Sequence, residues 1–172
     1  MNTIYLVGFM GCGKTSVGKH LSKQLEVPPY DVDLTVEKLR GQSIKEIFHK
    51  EGEEAFRNYE SLAIRRLPLA HAVVMTGGGA VVREENLSYM KSKGTVIYLK
   101  TSFPVLWKRL MKEEERNKRP ILLTRTKEEV FQLFNERSRH YEKSDLTIVT
   151  DDLSTEEVCH QIIVQLKLIK SQ

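Results

Sequence analysis

The chain has 172 residues, of which 40% are hydrophobic and 29% charged, and its formal net charge is +4. These values predict one globular domain with a substantial core, and they single out no nucleic-acid-binding class. The two cysteines, Cys12 and Cys159, and five scattered histidines form no pattern typical of a zinc site or a disulfide framework. No stretch approaches the ~20 apolar residues that span a bilayer. We therefore expect a cytoplasmic protein without nucleic-acid or membrane partners.

Apolar runs alternate with amphipathic stretches along the whole chain. The hydrophobic pattern predicts strands at 3–8, 28–33, 71–76, 95–100 and 146–150. It predicts helices at 14–26, 43–67 (broken near Gly52), 84–93, 102–113, 127–143 and 154–169, and a charged loop at 114–126. Such alternation is typical of a parallel sheet covered by helices on both faces. We expect a single α/β domain over residues 1–172.

The first glycine-rich loop, Gly8 to Thr15, matches the pattern G-x-x-x-x-G-K-[ST] between a predicted strand and a predicted helix. Glycines in such a loop let backbone N–H groups surround phosphate oxygens, and the helix N-terminus adds partial positive charge. The lysine would reach the β- and γ-phosphates, and the threonine hydroxyl would bind Mg²⁺. Sequence, position and context favour this interpretation over a chance glycine turn. The predicted ATP-binding residues here are Gly11, Cys12, Gly13, Lys14, Thr15 and Ser16.

Such a loop indicates that a nucleoside triphosphate binds, but it does not identify the reaction. A guanine-specific motif would need aspartate where Asn117-Lys118-Arg119-Pro120 has proline. A helicase or motor domain would need a longer chain. A small-molecule kinase is the class that remains.

Two aspartates follow the short second strand, where a carboxylate could serve the metal or an acceptor hydroxyl. Asp31 and Asp33 would point the same way if the extended backbone continued through them. The alternative is a helix N-cap, which Asp33 could also supply. The third strand ends in Thr76, so the acidic residue that often stands there is absent.

Other charged and glycine positions are ambiguous individually. Arg57 and Glu60 lie three apart on one helix face, a spacing that favours a surface salt bridge. Arg137 carries no signal of its own. The charged loop with Arg116 and Arg119 would be a solvated linker or a mobile lid over the γ-phosphate. A turn would explain one glycine after the third strand, but not three in a row, Gly77 to Gly79.

Taken together, these segments resemble the shikimate kinase family. The resemblance rests on GFMGCGKTSVGK, DVD, IFHKEGEEAFRNYE, TGGG, RPILL and NERSRHY, in this order over nearly the whole chain. It implies a P-loop fold of the nucleoside-monophosphate-kinase type, with a five-stranded parallel sheet and a mobile lid at about 112–124. It also implies transfer of the ATP γ-phosphoryl group to the 3-hydroxyl of shikimate, with Mg²⁺ as cofactor, by an enzyme that we expect to be monomeric.

The resemblance also assigns roles to matching positions. Asp33 would be the candidate base, and Asp31 would act on Mg²⁺ through water beside Thr15. Arg57 and Arg137 would hold the shikimate carboxylate, for which a bidentate guanidinium is suited. Arg119 would be catalytic with Lys14, neutralising charge on the phosphates, and Arg116 would help to hold the nucleotide. Gly77, Gly78 and Gly79 would lie against the acceptor, where a Cβ would crowd its ring and where backbone N–H groups can donate.

The sequence departs from the family pattern at two places, and two other functional hypotheses are compatible with it. Val32 stands where the family usually has serine or threonine, and the lid reads RPILL rather than RPLL. Neither change removes a required charge or donor. The rivals are another small-molecule kinase, acting on gluconate or a nucleoside monophosphate, and a nucleotide-binding regulatory protein without an acceptor.

Overall fold

The computed structural model describes residues 2–67, 70–112 and 121–170, without the side chains of 121, 123 and 168–170. In these residues five strands form one sheet, and every pairing is parallel. The strands are β1 (Thr3–Val7), β2 (Pro29–Asp31), β3 (Val73–Met75), β4 (Gly94–Lys100) and β5 (Leu146–Val149). Their spatial order is β2-β3-β1-β4-β5. The predicted five-stranded parallel sheet is confirmed.

Helices connect the strands, including helices at 32–40 and 121–124 where the sequence predicts none. They are α1 (Lys14–Leu25), α2 (Val32–Arg40), α3 (Ile44–Lys50), α4 (Gly52–Arg66), α5 (Glu84–Lys93), α6 (Phe103–Leu110), α7 (Ile121–Thr124), α8 (Lys127–Tyr141) and α9 (Thr155–Lys170). A short 3-10 helix, Ala80–Val82, follows the second glycine run. The break near Gly52 is confirmed, because α3 and α4 meet there and Gly52 has a φ of 85°.

The predicted charged loop at 114–126 is wrong in its described part. Residues 113–120 lie outside the described residues, but Ile121–Thr124 forms α7. Leu122 is buried in the hydrophobic core. Burial of this apolar side chain anchors a turn of helix that the surrounding charges obscured in the sequence.

The central strand and the first helix show how the hydrophobic pattern fixes the core. All five residues of β1 are buried, as expected for a parallel strand covered on both faces. On α1, Val17 and Leu21 are buried and Leu25 packs against the same core, one helical turn apart each time. A capping box begins α9, because Ser154 and Glu157 exchange hydrogen bonds.

The second strand ends earlier than the sequence predicts. β2 stops at Asp31, and Val32, which is fully buried, already begins α2. The Asp31 carboxylate caps this helix by accepting hydrogen bonds from the N–H groups of Asp33 and Leu34, at 3.0 and 3.2 Å. The prediction that an extended backbone continues through both aspartates is therefore wrong, and so is the alternative in which Asp33 caps the helix. Asp33 instead lies in the first turn of α2.

The strand order locates the site. Chain order reverses at β1, which lies between β3 and β4, and ligands of open parallel sheets bind beyond the carboxyl ends of strands at such a reversal. The first glycine loop follows β1, Asp31 ends β2, and the second glycine run follows β3. None of the helices in the described part of the chain is long and apolar enough to cross a membrane.

Candidate active site

The first glycine loop depends on glycine where it leaves β1 and where it enters α1. Gly13 has a φ of 97° at the N-terminus of α1, in the left-handed region that other residues rarely adopt. A Cβ on Gly8 would lie 2.8 Å from the Leu99 carbonyl oxygen of the neighbouring strand β4. The loop can therefore keep this shape only with glycine at these two positions.

Among the described residues, one cation within the first glycine loop and one from a neighbouring helix bring positive charge to it. The Lys14 ammonium donates hydrogen bonds to the carbonyl oxygens of Gly8 and Phe9, at 2.6 and 3.0 Å. The Arg109 guanidinium, from α6, donates to the Gly11 carbonyl at 3.3 Å. Positive charge at a helix N-terminus is the environment that bound phosphate requires.

A cavity of about 780 Å³ opens beside the first glycine loop. It brings together most of the positions that the sequence singled out, including both aspartates and part of the second glycine run. The predicted site residues along its wall are Gly11, Cys12, Gly13, Lys14, Thr15, Ser16, Asp31, Asp33, Gly77 and Gly78. The Cys12 side chain itself is buried, so that residue offers its backbone rather than its thiol.

Two carboxylate oxygens converge on the second glycine run. A Cβ on Gly77 would lie 2.7 Å from Glu60 Oε1 and 2.9 Å from Asp33 Oδ1. Both oxygens are buried, and neither has a hydrogen-bond partner among the described residues. Buried polar atoms are normally paired, so two unpaired acceptors at one point suit a ligand that brings hydroxyl donors.

The surroundings of Asp33 and Glu60 favour the protonated form of both carboxyl groups. Burial, with Glu60 and Asp31 close by, raises the pKa of Asp33 to about 6. Burial also raises the pKa of Glu60, against the opposing effect of Arg57. A carboxylate with a pKa near neutrality is suited to accept a proton from an acceptor hydroxyl.

The ion pair between Arg57 and Glu60 is not a surface salt bridge, so that interpretation was wrong. Glu60 is 0% exposed and receives a 2.8 Å hydrogen bond from Arg57. The other side of the guanidinium meets the more exposed Glu53 at 3.2 Å. Arg57 also packs on the second glycine run, because a Cβ on Gly79 would lie 2.4 Å from its Nη2 atom. A pair buried at this cost is more typical of a functional site than of a solvated face.

Arg137, on α8, approaches the same glycine run from another direction. A Cβ on Gly78 would lie 3.3 Å from Arg137 Nη1. Burial lowers the pKa of Arg137, but an arginine keeps its charge through such a shift. Two guanidinium groups therefore flank the glycines. Arg116 and Arg119, which the sequence also proposed, lie outside the described residues.

Sequence reasoning missed several residues of the site. Arg109, Thr150 and Thr155 line the cavity, and of these Thr150 could have been found because it follows strand β5 at the edge where ligands bind. Asn86 is buried and bridges the Ala80 carbonyl to Arg65, at 3.0 and 3.1 Å. Nothing in its local sequence distinguishes this asparagine from a surface one.

Comparison with known proteins identifies the family. The family model for shikimate kinase matches residues 10–167. A shikimate kinase of Enterococcus faecalis is 41% identical over 168 residues, which cover 97% of this chain and 99% of the relative.

Comparison with solved structures indicates the same family. The crystal structure of shikimate kinase from Aquifex aeolicus matches with a TM-score of 0.84 at 40% identity, covering 96% of both chains. Shikimate kinase from Acinetobacter baumannii, in complex with shikimate, matches with a TM-score of 0.85 at 32% identity, covering 99% of this chain and 94% of that one. A deoxyadenosine kinase of M. mycoides, at 18% identity and a TM-score of 0.62, shares the fold. The chain belongs to the shikimate kinase family, with the P-loop fold of the nucleoside-monophosphate-kinase type.

Proposed function

We propose that this enzyme transfers the γ-phosphoryl group of Mg·ATP to the 3-hydroxyl of shikimate, giving shikimate 3-phosphate and ADP in aromatic amino-acid biosynthesis. The observation that carries the proposal is the arrangement around the second glycine run. Arg57 and Arg137 flank it, and the unpaired oxygens of Asp33 and Glu60 converge on it. An acceptor with one carboxylate and several hydroxyl groups satisfies all of these groups at once.

The acceptor carboxylate would lie between the two guanidinium groups. Arg57 is held in place by Glu60 and Glu53, so its orientation is fixed before the acceptor arrives. A neutral polyol would bring no carboxylate for either guanidinium group. The acceptor hydroxyls would meet Asp33 and the N–H groups of Gly77, Gly78 and Gly79.

Asp33 would take the proton from the reacting hydroxyl or orient it. Its pKa of about 6 leaves it mostly ionised at neutral pH, yet basic enough to accept a proton as the O–P bond forms. The phosphoryl group itself needs little covalent help, because its metaphosphate-like transition state is stabilised mainly by position and charge. We assign that charge to Lys14 and, from the sequence resemblance, to Arg119.

The residues present fit Mg²⁺ bound together with ATP. Thr15 and Asp31 line the same cavity, and hydroxyl and carboxylate oxygens are the ligands that Mg²⁺ prefers. Asp31 already caps α2 through Oδ1, which favours contact with the metal through water rather than directly. Mg²⁺ would supply charge neutralisation on the β- and γ-phosphate oxygens. Gly11, Cys12, Gly13 and Ser16 would offer backbone or hydroxyl donors to the phosphates, with Arg116 as a further nucleotide contact.

We also propose a lid over the reacting groups at about 112–124, and a cytoplasmic, monomeric enzyme that acts on small molecules. The lid rests on the family resemblance and on the need to keep water from the γ-phosphate. Limited proteolysis tests it. Cleavage between 112 and 124 is expected to slow when ATP and shikimate are both present, and unchanged cleavage would contradict the lid.

The reaction is tested by identifying its product. The purified chain is incubated with Mg·ATP and shikimate, and phosphorus and proton NMR locate the new phosphate ester. We expect the ester on the 3-hydroxyl, with one ADP formed for each ester. An ester on another hydroxyl would contradict the assignment of Asp33, and ADP without any ester would contradict the proposed reaction.

A further inference from the structure

Tyr141, the last residue of α8, is buried completely and reaches the second glycine run. Its hydroxyl donates a hydrogen bond to the Gly78 carbonyl oxygen. Sixty-three positions separate the two residues, so this bond joins α8 to the loop that follows β3. None of the roles assigned above uses it.

The same hydroxyl meets Arg137, one helical turn earlier on α8. The Arg137 side chain lies close to the Tyr141 hydroxyl and opposes the rise of its pKa. A Cβ added to Gly78 would lie 3.3 Å from Arg137 Nη1 and 3.6 Å from the Tyr141 hydroxyl oxygen. The hydroxyl therefore links two parts of the acceptor site, a glycine peptide and a guanidinium.

The ring that carries this hydroxyl is held rigidly. It packs against the ring of Tyr98, on β4, with centroids 5.1 Å apart and planes at 34°. Burial raises the pKa of Tyr141 well above its usual range, so the hydroxyl stays a neutral donor at every pH at which the enzyme works. A rigid ring with a fixed proton can define the position of its acceptor.

We propose that Tyr141 is a positioning residue for the acceptor: its hydroxyl sets the Gly78–Gly79 peptide and the Arg137 guanidinium in their binding orientations. In a planar trans peptide, the carbonyl of one residue and the N–H of the next point in opposite directions. Fixing the Gly78 carbonyl on Tyr141 therefore fixes the direction of the Gly79 N–H. This inference rests on the proposed function, in which Gly79 and Arg137 bind the acceptor.

The test is Tyr141→Phe, which removes the hydroxyl and keeps the ring. We expect the KM for shikimate to rise about five- to tenfold, the scale of one or two lost hydrogen bonds, with the KM for ATP within about twofold of the original chain. KM does not depend on the concentration of active enzyme, so partial unfolding alone would lower the apparent kcat and leave KM unchanged.

Tyr98→Phe is the matched control. Its hydroxyl belongs to the adjacent buried ring and lies near Ser138, whereas the tyrosine hydroxyl beside the glycine run is that of Tyr141. Both variants lose one buried tyrosine hydroxyl, so a purely structural effect would appear in both. We expect the KM of Tyr98→Phe for shikimate to stay at the value of the original chain.

Three outcomes would overturn the inference. They are an unchanged KM for shikimate in Tyr141→Phe, an equal rise in Tyr98→Phe, and loss of folding in Tyr141→Phe alone, which would give the hydroxyl a role in the fold instead. The proposed function has a separate test, because it would be contradicted if the original chain showed no shikimate-dependent ADP release.

Discussion

Asp33 holds a charge that the fold itself disfavours. Because the pKa of this buried carboxyl rises from 3.8 to about 6, folding takes up a proton between these values. The ionised group therefore destabilises the folded chain fully above about pH 6 and not at all below about pH 3.8. A group kept at such a cost is expected to serve catalysis.

Asp33→Asn separates these two effects. It should nearly abolish shikimate phosphorylation, because an amide cannot accept the proton, while ATP binding stays intact. The same variant should unfold at a higher temperature than the original chain at pH 7.5, with the gain disappearing near pH 4. Steady-state rates, ATP titration and thermal unfolding at both pH values check this. Turnover at the original rate would exclude Asp33 as the base.

The pH profile of the original chain provides an independent check on Asp33. The base must be ionised in the free enzyme, whose groups the profile of kcat/KM for shikimate reports. We therefore expect kcat/KM to rise with pH through about 6 and then level off. A profile that stays flat from pH 5 to pH 8 would contradict the raised pKa or the role of the group.

Gly79 leaves room for the Arg57 guanidinium. Its φ of −106° suits any residue, so an effect of Gly79→Ala must come from the Cβ, which would lie 2.4 Å from Arg57 Nη2. Displacing this group should lower kcat/KM for shikimate by about ten- to a hundredfold, with the KM for ATP unchanged. Steady-state kinetics with each substrate varied in turn check this.

Gly41→Ala is the matched control for Gly79→Ala. Gly41 has a φ of 63°, and an added Cβ there meets nothing within 4 Å. We expect it to lower the free energy of unfolding by about 1–2 kcal/mol and to leave both KM values unchanged. Equal kinetic effects in the two variants would contradict the contact argument.

At the scale of elements, the sequence predicts most strands and helices because buried apolar positions repeat with clear periods. The prediction fails where a single residue determines where an element ends or whether it forms. At the end of β2, the Asp31 side chain caps α2 and ends the strand, and this depends on a hydrogen bond that periodicity does not show. In α7, burial of Leu122 outweighs the charged neighbours.

Some parts of the candidate site are likewise predictable from the sequence, and others are not. The first glycine loop is predictable because its chemistry is local. The buried pair of Arg57 and Glu60 is not, because a spacing of three suits a surface pair equally well and only the packing of α4 on the glycine run distinguishes them. Asn86 and Tyr141 act through contacts with residues distant in sequence or through burial, which one sequence does not display.

Asn86 connects α5 to both α4 and the segment after the glycine run. Asn86→Ala would leave the buried Ala80 carbonyl without its partner, which should cost about 1–3 kcal/mol of unfolding free energy. Because Ala80 directly follows Gly79, we also expect the KM for shikimate to rise. Thermal unfolding and steady-state kinetics measure the two effects.

Asp145→Ala is the control for this prediction. Asp145 accepts a 2.8 Å hydrogen bond from the Val96 N–H and precedes β5, at the end of the sheet opposite the site. It should lose stability without a change in the KM for shikimate. An equal rise of that KM in both variants would show that Asn86 has no special link to the glycine run.

At the scale of the whole molecule, two glycine-rich loops meet at one edge of the sheet because parallel strands bring their carboxyl ends together. The loop after β1 has the geometry of a phosphate site, and the run after β3 is flanked by groups suited to a carboxylate and hydroxyls. Between them lies Asp33, on the wall of the same cavity. This arrangement supports phosphoryl transfer between two bound molecules better than nucleotide hydrolysis alone.

The most direct test measures ADP release from Mg·ATP with shikimate, gluconate, a nucleoside monophosphate or no acceptor added. We expect strong stimulation by shikimate and none by the others. Among these acceptors, shikimate is the one that combines a ring, a carboxylate and several hydroxyls in the required arrangement. Stimulation by gluconate or a nucleotide without stimulation by shikimate would contradict the assignments of Arg57, Arg137 and Asp33. Release that no acceptor stimulates would contradict the kinase function itself.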